Sequence, residues 1–368
     1  EFLARVRKQA VKTGPSVSLT ILLVRLAQCI ERLRMLLPLL QAVPVHELNV
    51  LRVRLFKMLV RAENSRNSVR ELWSQTVDLL ALRITENASQ TGEHYITTSR
   101  GEYFGMLRSA LGAGFIIAFM AMLKITLSMS QHSPLATDFL YSMNYGLGFV
   151  LIYLVGFTIA TKQPAMTASR LAAALSRESG KVRLDALADL IVSTIRSQFI
   201  AITGNVITAF SIPVLLGCLV YTYTGQHFIT PEKAQHLLHD QNPLVSLAWL
   251  HAAIAGVCLF LSGLISGYFD NKAVYERIPQ RLLQRPWLRR LLGLARTLRF
   301  AAYIEKNLGA LAGNFFFGCM LGSMGVIGFI LGLPLDIRHV TFSSAYFGLS
   351  LVARDWHGSA TTIALLAL

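Results

Sequence analysis

Two hydrophobic rhythms divide the chain of 368 residues. From residue 1 to about 105, apolar side chains recur every three or four positions with Arg, Glu and Gln between them. Leu22-Leu23-Val24-Arg25-Leu26-Ala27 and the stretch from Leu48 to Leu82 are examples. One apolar stripe per turn predicts amphipathic helices, and Pro38 and Pro44 separate the first helix from the second. No run in this part is long and charge-free enough to cross a bilayer. Residues 1–105 are therefore expected to form a helical bundle lying beside or on the membrane.

From 106 to 368 the apolar residues fall instead in continuous blocks, and a bilayer crossing takes roughly 20 of them. The blocks lie at about 107–129, 140–160, 199–221, 244–267 and 308–333, with Pro213 as a kink in the third. A shorter apolar piece, 340–353, follows Asp336-Ile337-Arg338-His339 and is too short to cross, which predicts a re-entrant or interfacial half-helix. A last apolar run from 358 reads as the start of a sixth span. The expected fold is thus an all-α integral membrane protein with an N-terminal helical domain.

Composition agrees: 53% of residues are hydrophobic and 15% charged, against about 25% charged in soluble domains. Lys and Arg number 35 against 20 acidic residues, a net charge of +15. These charges alternate with the blocks. The connectors 161–198 and 268–307 hold six and nine Lys/Arg, whereas 130–139, 222–243 and 334–344 hold none, one and one. Cytoplasmic loops collect basic residues, so the two rich connectors and the N-terminal bundle are expected in the cytoplasm. Between Arg277 and Arg299, Arg281, Arg285, Arg289, Arg290, Arg296 and Arg299 alternate with Leu and Trp287. That is the pattern of a helix lying on an anionic lipid surface. The anionic inner leaflet is the partner this implies; no helix-turn-helix or zinc finger points to nucleic acid.

Ionisable and amide side chains are costly inside a span and mark candidate sites. Lys124, Asn144 and His251 lie toward one side of the membrane, with Asp336, Arg338 and His339 just outside them. Asn205 and Asn314 lie toward the other. They line a polar route, or else the lysine snorkels, the amides bond across helices and His251 bonds a neighbouring carbonyl. Lys162 and Gln163 end the second span, and Asp270, Asn271 and Lys272 end the fourth on the same side, as an inner gate or a clamp on helix ends. The fifth span carries Gly309, Gly313, Gly318, Gly322, Gly325, Gly328 and Gly332, with three GxxxG spacings that serve packing within a subunit or a homo-oligomeric contact. Catalytic signatures are missing: no HExxH, GxSxG, P-loop or GxGxxG before a helix. The four cysteines, Cys29, Cys218, Cys258 and Cys319, show no CxxC or zinc spacing. His236 and His239, with Asp240 adjacent, come nearest to a metal site and fall short of a ligand set. No metal and no cofactor is expected.

Several stretches carry a resemblance: Gly92-Glu93-His94-Tyr95-Ile96-Thr97, Ala160-Thr161-Lys162-Gln163-Pro164-Ala165-Met166-Thr167-Ala168, Gly263 to Lys272, Leu311-Ala312-Gly313-Asn314-Phe315, and Asp336 to Ser344. Together they resemble the proteobacterial membrane protein family known as "site-specific recombinase, gonococcal type", over most of the chain from about residue 90 onward. The resemblance implies a multi-spanning bacterial inner-membrane protein of unestablished mechanism, with further residues beyond both ends. Its name implies DNA strand exchange. A tyrosine recombinase needs a Tyr nucleophile with Arg and His clamping one phosphate, and no HxxR occurs here. A serine recombinase needs an activated Ser ringed by Arg in a soluble domain, and most Arg here flank the membrane. The residues therefore do not support recombinase chemistry. They point first to a non-enzymatic inner-membrane protein that binds or moves a small solute, ion or lipid along the Lys124/His251 to Asn205/Asn314 route. The rival is a membrane scaffold whose basic helices recruit partners or anionic lipid.

Overall fold

The computed structural model describes residues 17–39, 45–65, 96–97, 99–130, 132–160 and 184–355, and every regular element among them is a helix. In chain order these are α1 (Val17–Leu39), α2 (Val45–Ser65), α3 (Arg100–Met129), α4 (Pro134–Leu154), α5 (Leu184–Thr224), α6 (Pro231–Gln241), α7 (Ala248–Tyr275), α8 (Ile278–Leu283), α9 (Pro286–Leu292), α10 (Leu294–Leu331) and α11 (Val340–Ala353). The all-α expectation holds. Among the described residues four helices are long and apolar enough to cross a membrane: α3, α5 over Ala188–Thr224, α7 and α10.

The helix ends show where local chemistry acts. Ser99 and Glu102 form a capping box that starts α3 (3.2 and 3.3 Å), so the polar flank before residue 107 is helical too. Ser133 and Thr230 cap α4 and α6, each followed by a proline at the first helical position, where a missing N–H costs nothing. Pro44 stands directly before α2, and Pro38 sits in the last turn of α1. The block expected as a second span over 140–160 is displaced toward the N-terminus. Its helix starts at Pro134 and ends at Leu154, where Gly156 (φ +77°) turns the chain. Asp138, Ser142 and Asn144 lower the apolarity of α4, which is not among the four helices that meet the crossing criterion. The truncated span from 358 lies outside the described residues.

The chain divides into two units. One comprises Glu1–Thr85 and Gly267–Leu308. In it α8 and α9 form a basic elbow: Leu288 is buried, and Thr297 on the first turn of α10 reaches the Leu288 carbonyl (3.5 Å) across Gly293, whose φ of +73° permits the bend. Trp287 and Leu291 stay exposed, at 62% and 73%.

The other unit, Glu86–Ser266 and Gly309–Leu368, holds the largest core. Phe149, Phe317, Ile117, Ile152 and Tyr145 pack there with Phe342 of α11. Lipid supplies no hydrophobic drive between helices, so close backbone approach must supply the packing. Gly318 of α10 lies directly on the backbone of Tyr145 and Gly146, and Gly322 lies on Ser142. Gly114 of α3 touches the Asn205 carbonyl and Thr208 of α5. These glycines are spent on packing within the chain.

Candidate functional site

The site forms where the chain after α10 folds back into the second unit. Gly332 (φ +64°) reverses the direction, and Leu333 N–H closes onto the Gly328 carbonyl at 2.9 Å. Residues 334–339 then run without regular structure, beginning with a tight turn in which Leu335 N–H bonds the Leu333 carbonyl (2.8 Å). His251 on the first turn of α7 holds this segment twice: its Nε2 meets the Pro334 carbonyl at 3.0 Å, and its own carbonyl accepts Arg338 N–H at 3.4 Å. A carbonyl can only accept, so Nε2 carries the hydrogen and the buried Nδ1 has no partner. By His339 the chain stands 6.2 Å (ring centroids) from Phe149, about 22 Å along α4 from its start. Helix α11 then returns: Gly348 packs on the Phe210 carbonyl, Leu349 and Val352 lie beside Gly217 further along α5, and Ala353 joins Ile229 and Ala234 at α6. The expected half-helix at 340–353 is present with those bounds, and at 14 residues it spans only about 21 Å.

Charged groups gather on and around this segment. Asp336 pairs with the Arg338 guanidinium and accepts Ile337 N–H at 2.8 Å. Arg338 also donates through Nε to the Asp240 carbonyl (3.1 Å), faces the Asp240 carboxylate (3.5 Å) and donates to the Ile337 carbonyl (3.1 Å). Asp240 in turn faces His236 (3.2 Å) and His239 (3.8 Å). Burial pushes the Asp336 carboxyl up, but Lys124 and Arg338 outweigh it and hold the pKa below the usual carboxylate value. The Lys124 ammonium sits 5.1 and 5.3 Å from the ring centroids of Tyr141 and Tyr145, within cation–π range. Tyr145 meets Tyr346 of α11 hydroxyl to hydroxyl (3.4 Å).

Of the residues singled out in the sequence, Lys124, His251, Asp336 and Arg338 share this region with His339 beside it. Asn144 is spent on the Met120 carbonyl (2.9 Å). Asn205 is fully buried elsewhere and saturated. Its Oδ1 accepts Ala160 N–H (3.1 Å), and its amide donates to the carbonyls of Ala110 (2.8 Å) and Thr158 (3.0 Å). This clamp ties α3, α5 and the turn after α4. Asn314 donates back to the Ala310 carbonyl of its own helix (2.7 Å). Lys162 and Gln163 lie outside the described residues. Lys272 pairs with Glu276 (3.9 Å) and sits by the Tyr268 and Phe269 rings (5.8 and 5.9 Å); Asp270 and Asn271 precede it on α7.

Tyr141, Tyr145 and Tyr346 escaped sequence reasoning. Tyrosines in apolar helices look like packing residues, and Asp240 stood out in the sequence only beside His236 and His239, not as a partner of Arg338. Only the i, i+4 spacing of Tyr141 and Tyr145 on α4 hinted at a shared face. Among the described residues, no group of three or more His, Cys, Asp or Glu could hold a metal.

The resembling segments now have structural roles. Thr97 binds Ser197 through its N–H (2.8 Å) and hydroxyl (2.7 Å), and its carbonyl accepts Arg196 (2.8 Å). Gly313 packs on Ser262 and Ser266, and the Asp336 to Ser344 segment leads from the turn after α10 into the first turns of α11. No curated protein and no solved structure matches the chain. The family described as site-specific recombinase matches residues 1–368, and the chain belongs to that family.

Proposed function

We propose that this protein is a multi-pass protein of the bacterial inner membrane that binds a small polar or charged solute within its helix bundle, and moves it. The observation that carries this reading is the non-helical segment 334–339, which brings Asp336 and Arg338 to Lys124 and His251. Irregular backbone at membrane depth is tolerated where it is buried in protein or lines a cavity, and broken helices of this kind build transporter sites. A segment held only to stiffen the bundle has no need of four ionisable groups around it, each costly in that setting. In this proposal the solute meets the protein at the α6 end, and Asn205 forms the closed inner layer.

The test is single-cysteine accessibility at 124, 251, 205 and 314, in intact membranes and in a background lacking Cys29, Cys218, Cys258 and Cys319. A small charged thiol reagent should label 124 and 251 and leave 205 unlabelled. Silence at both 124 and 251 would sink the proposal. Labelling at 205 and 314 as well would extend the route through the bundle.

A second reading has its own support. Seven arginines and no acidic residue lie between 277 and 299, beside exposed Trp287 and Leu291. Such a surface suits an anionic leaflet and a scaffolding role. It predicts a higher thermal midpoint in nanodiscs containing phosphatidylglycerol than in neutral ones, a gain lost when Arg285, Arg289 and Arg290 become Gln.

A further inference from the structure

We propose that the N-terminal turn of α11 is a binding site for a small, singly charged, weakly hydrated anion of the nitrate, halide or formate class. This deepens, and rests on, the solute-site reading above.

The turn starts deep in the second unit, beside Phe149, and is uncapped: His339 at the N-cap supplies no side-chain bond. The first intrahelical bond is Ser343 N–H to the His339 carbonyl (2.9 Å), so the N–H groups of Val340, Thr341 and Phe342 precede the ladder. A helix end with free N–H groups carries about half a positive charge.

The independent observation is Thr341. Its side chain is 0% exposed and its Oγ has no hydrogen-bond partner. A helical threonine ordinarily returns its hydroxyl to the carbonyl four residues back, as Thr126 does to Met122 and Thr203 to Phe199. For Thr341 that carbonyl would be Ile337, which lies outside the helix and accepts Arg338 instead. Side chains on a helix lean toward its N-terminus, so the hydroxyl heads the same way as the N–H groups. An orphaned buried hydroxyl costs free energy until something accepts from it. Val340, between buried His339 and Thr341, is 43% exposed, so the turn lies one residue from the surface of the unit.

The chemistry selects the ligand. Three N–H groups and one O–H are donors facing one spot, which rejects a cation. Arg338 is already engaged by Asp336 and Asp240, and half a charge does not balance a dianion. A weakly hydrated monoanion loses least on leaving water.

The experiment uses the full chain in detergent. Thermal unfolding is followed in potassium nitrate, chloride or formate, with gluconate holding ionic strength constant. The expected result is a saturable rise in midpoint with nitrate. Thr341→Val should weaken it by about tenfold or more, and Thr341→Ser should stay within about twofold of wild type. A second readout needs only an exposed position: in the cysteine-free background, thiol labelling of Val340→Cys should slow as nitrate is added. No saturable effect of any of the three anions on either readout overturns the proposal, as does an equal effect in Thr341→Val. If the anions fail while 124 and 251 label, only the anion assignment falls; if those positions are silent too, the solute-site reading falls with it.

Discussion

Two side chains show how differently buried polar groups act in this protein. Asn205 is structural. Each of its amide atoms is used, and Asn205→Leu would strand the Ala160 N–H with no acceptor. The variant should lose about 1–3 kcal/mol, read as a lower unfolding midpoint in detergent. Asp336 is electrostatic. Its folded-state pKa lies below its unfolded value, so its pairing with Arg338 and the nearby charge of Lys124 contribute stability above the unfolded value, near 3.9, which is lost as pH falls through the depressed one. The midpoint gap between wild type and Asp336→Asn should therefore be constant from about pH 5 upward and shrink below about pH 4; a gap that widens with acid would contradict the assignment. Lys124, His251, Asp336 and Arg338 were legible in the sequence because ionisable groups in apolar blocks stand out. Thr341 was not, since a threonine in an apolar helix is ordinary until its usual acceptor is seen to be taken.

At the level of elements, the half-helix 340–353 was readable to the residue because charged residues precede it and its length forbids a crossing. The helix expected over 140–160 was shifted, because hydropathy cannot see that Ser133 and Pro134 start a helix before the apolar block begins. Glycine patterns needed the neighbours. Gly318 faces the backbone of α4, whereas Gly105 of α3 has nothing within contact distance. Gly318→Val should force α4 and α10 apart and cost about 1–3 kcal/mol or abolish folding. Gly105→Ala should be neutral or stabilising by about 0.5–1 kcal/mol, through lower chain entropy in the unfolded state. Melting both variants side by side checks the contrast. If Gly318→Val melts like wild type, the two helices are not packed backbone to backbone.

For the whole molecule, the loop charges make one topological forecast. Cysteines placed at 236 in α6 and at 289 in α9 should label from opposite sides of the membrane, with 236 reached from outside intact cells. The family assignment adds a name but no chemistry found in these residues, so function has to be pursued through the re-entrant site and the basic elbow. The sequence by itself determined that the chain is helical, that it belongs in a membrane and where its apolar blocks lie. Those depend on composition and period, which each segment carries locally. Tertiary structure decided which polar groups are clamps and which form a charged cluster, and it alone turned 334–353 back into the bundle. The physical reason is that pairing, burial and an orphaned hydroxyl are relations between distant segments: Asp240 with Arg338, His251 with Pro334, Thr341 with a carbonyl already claimed.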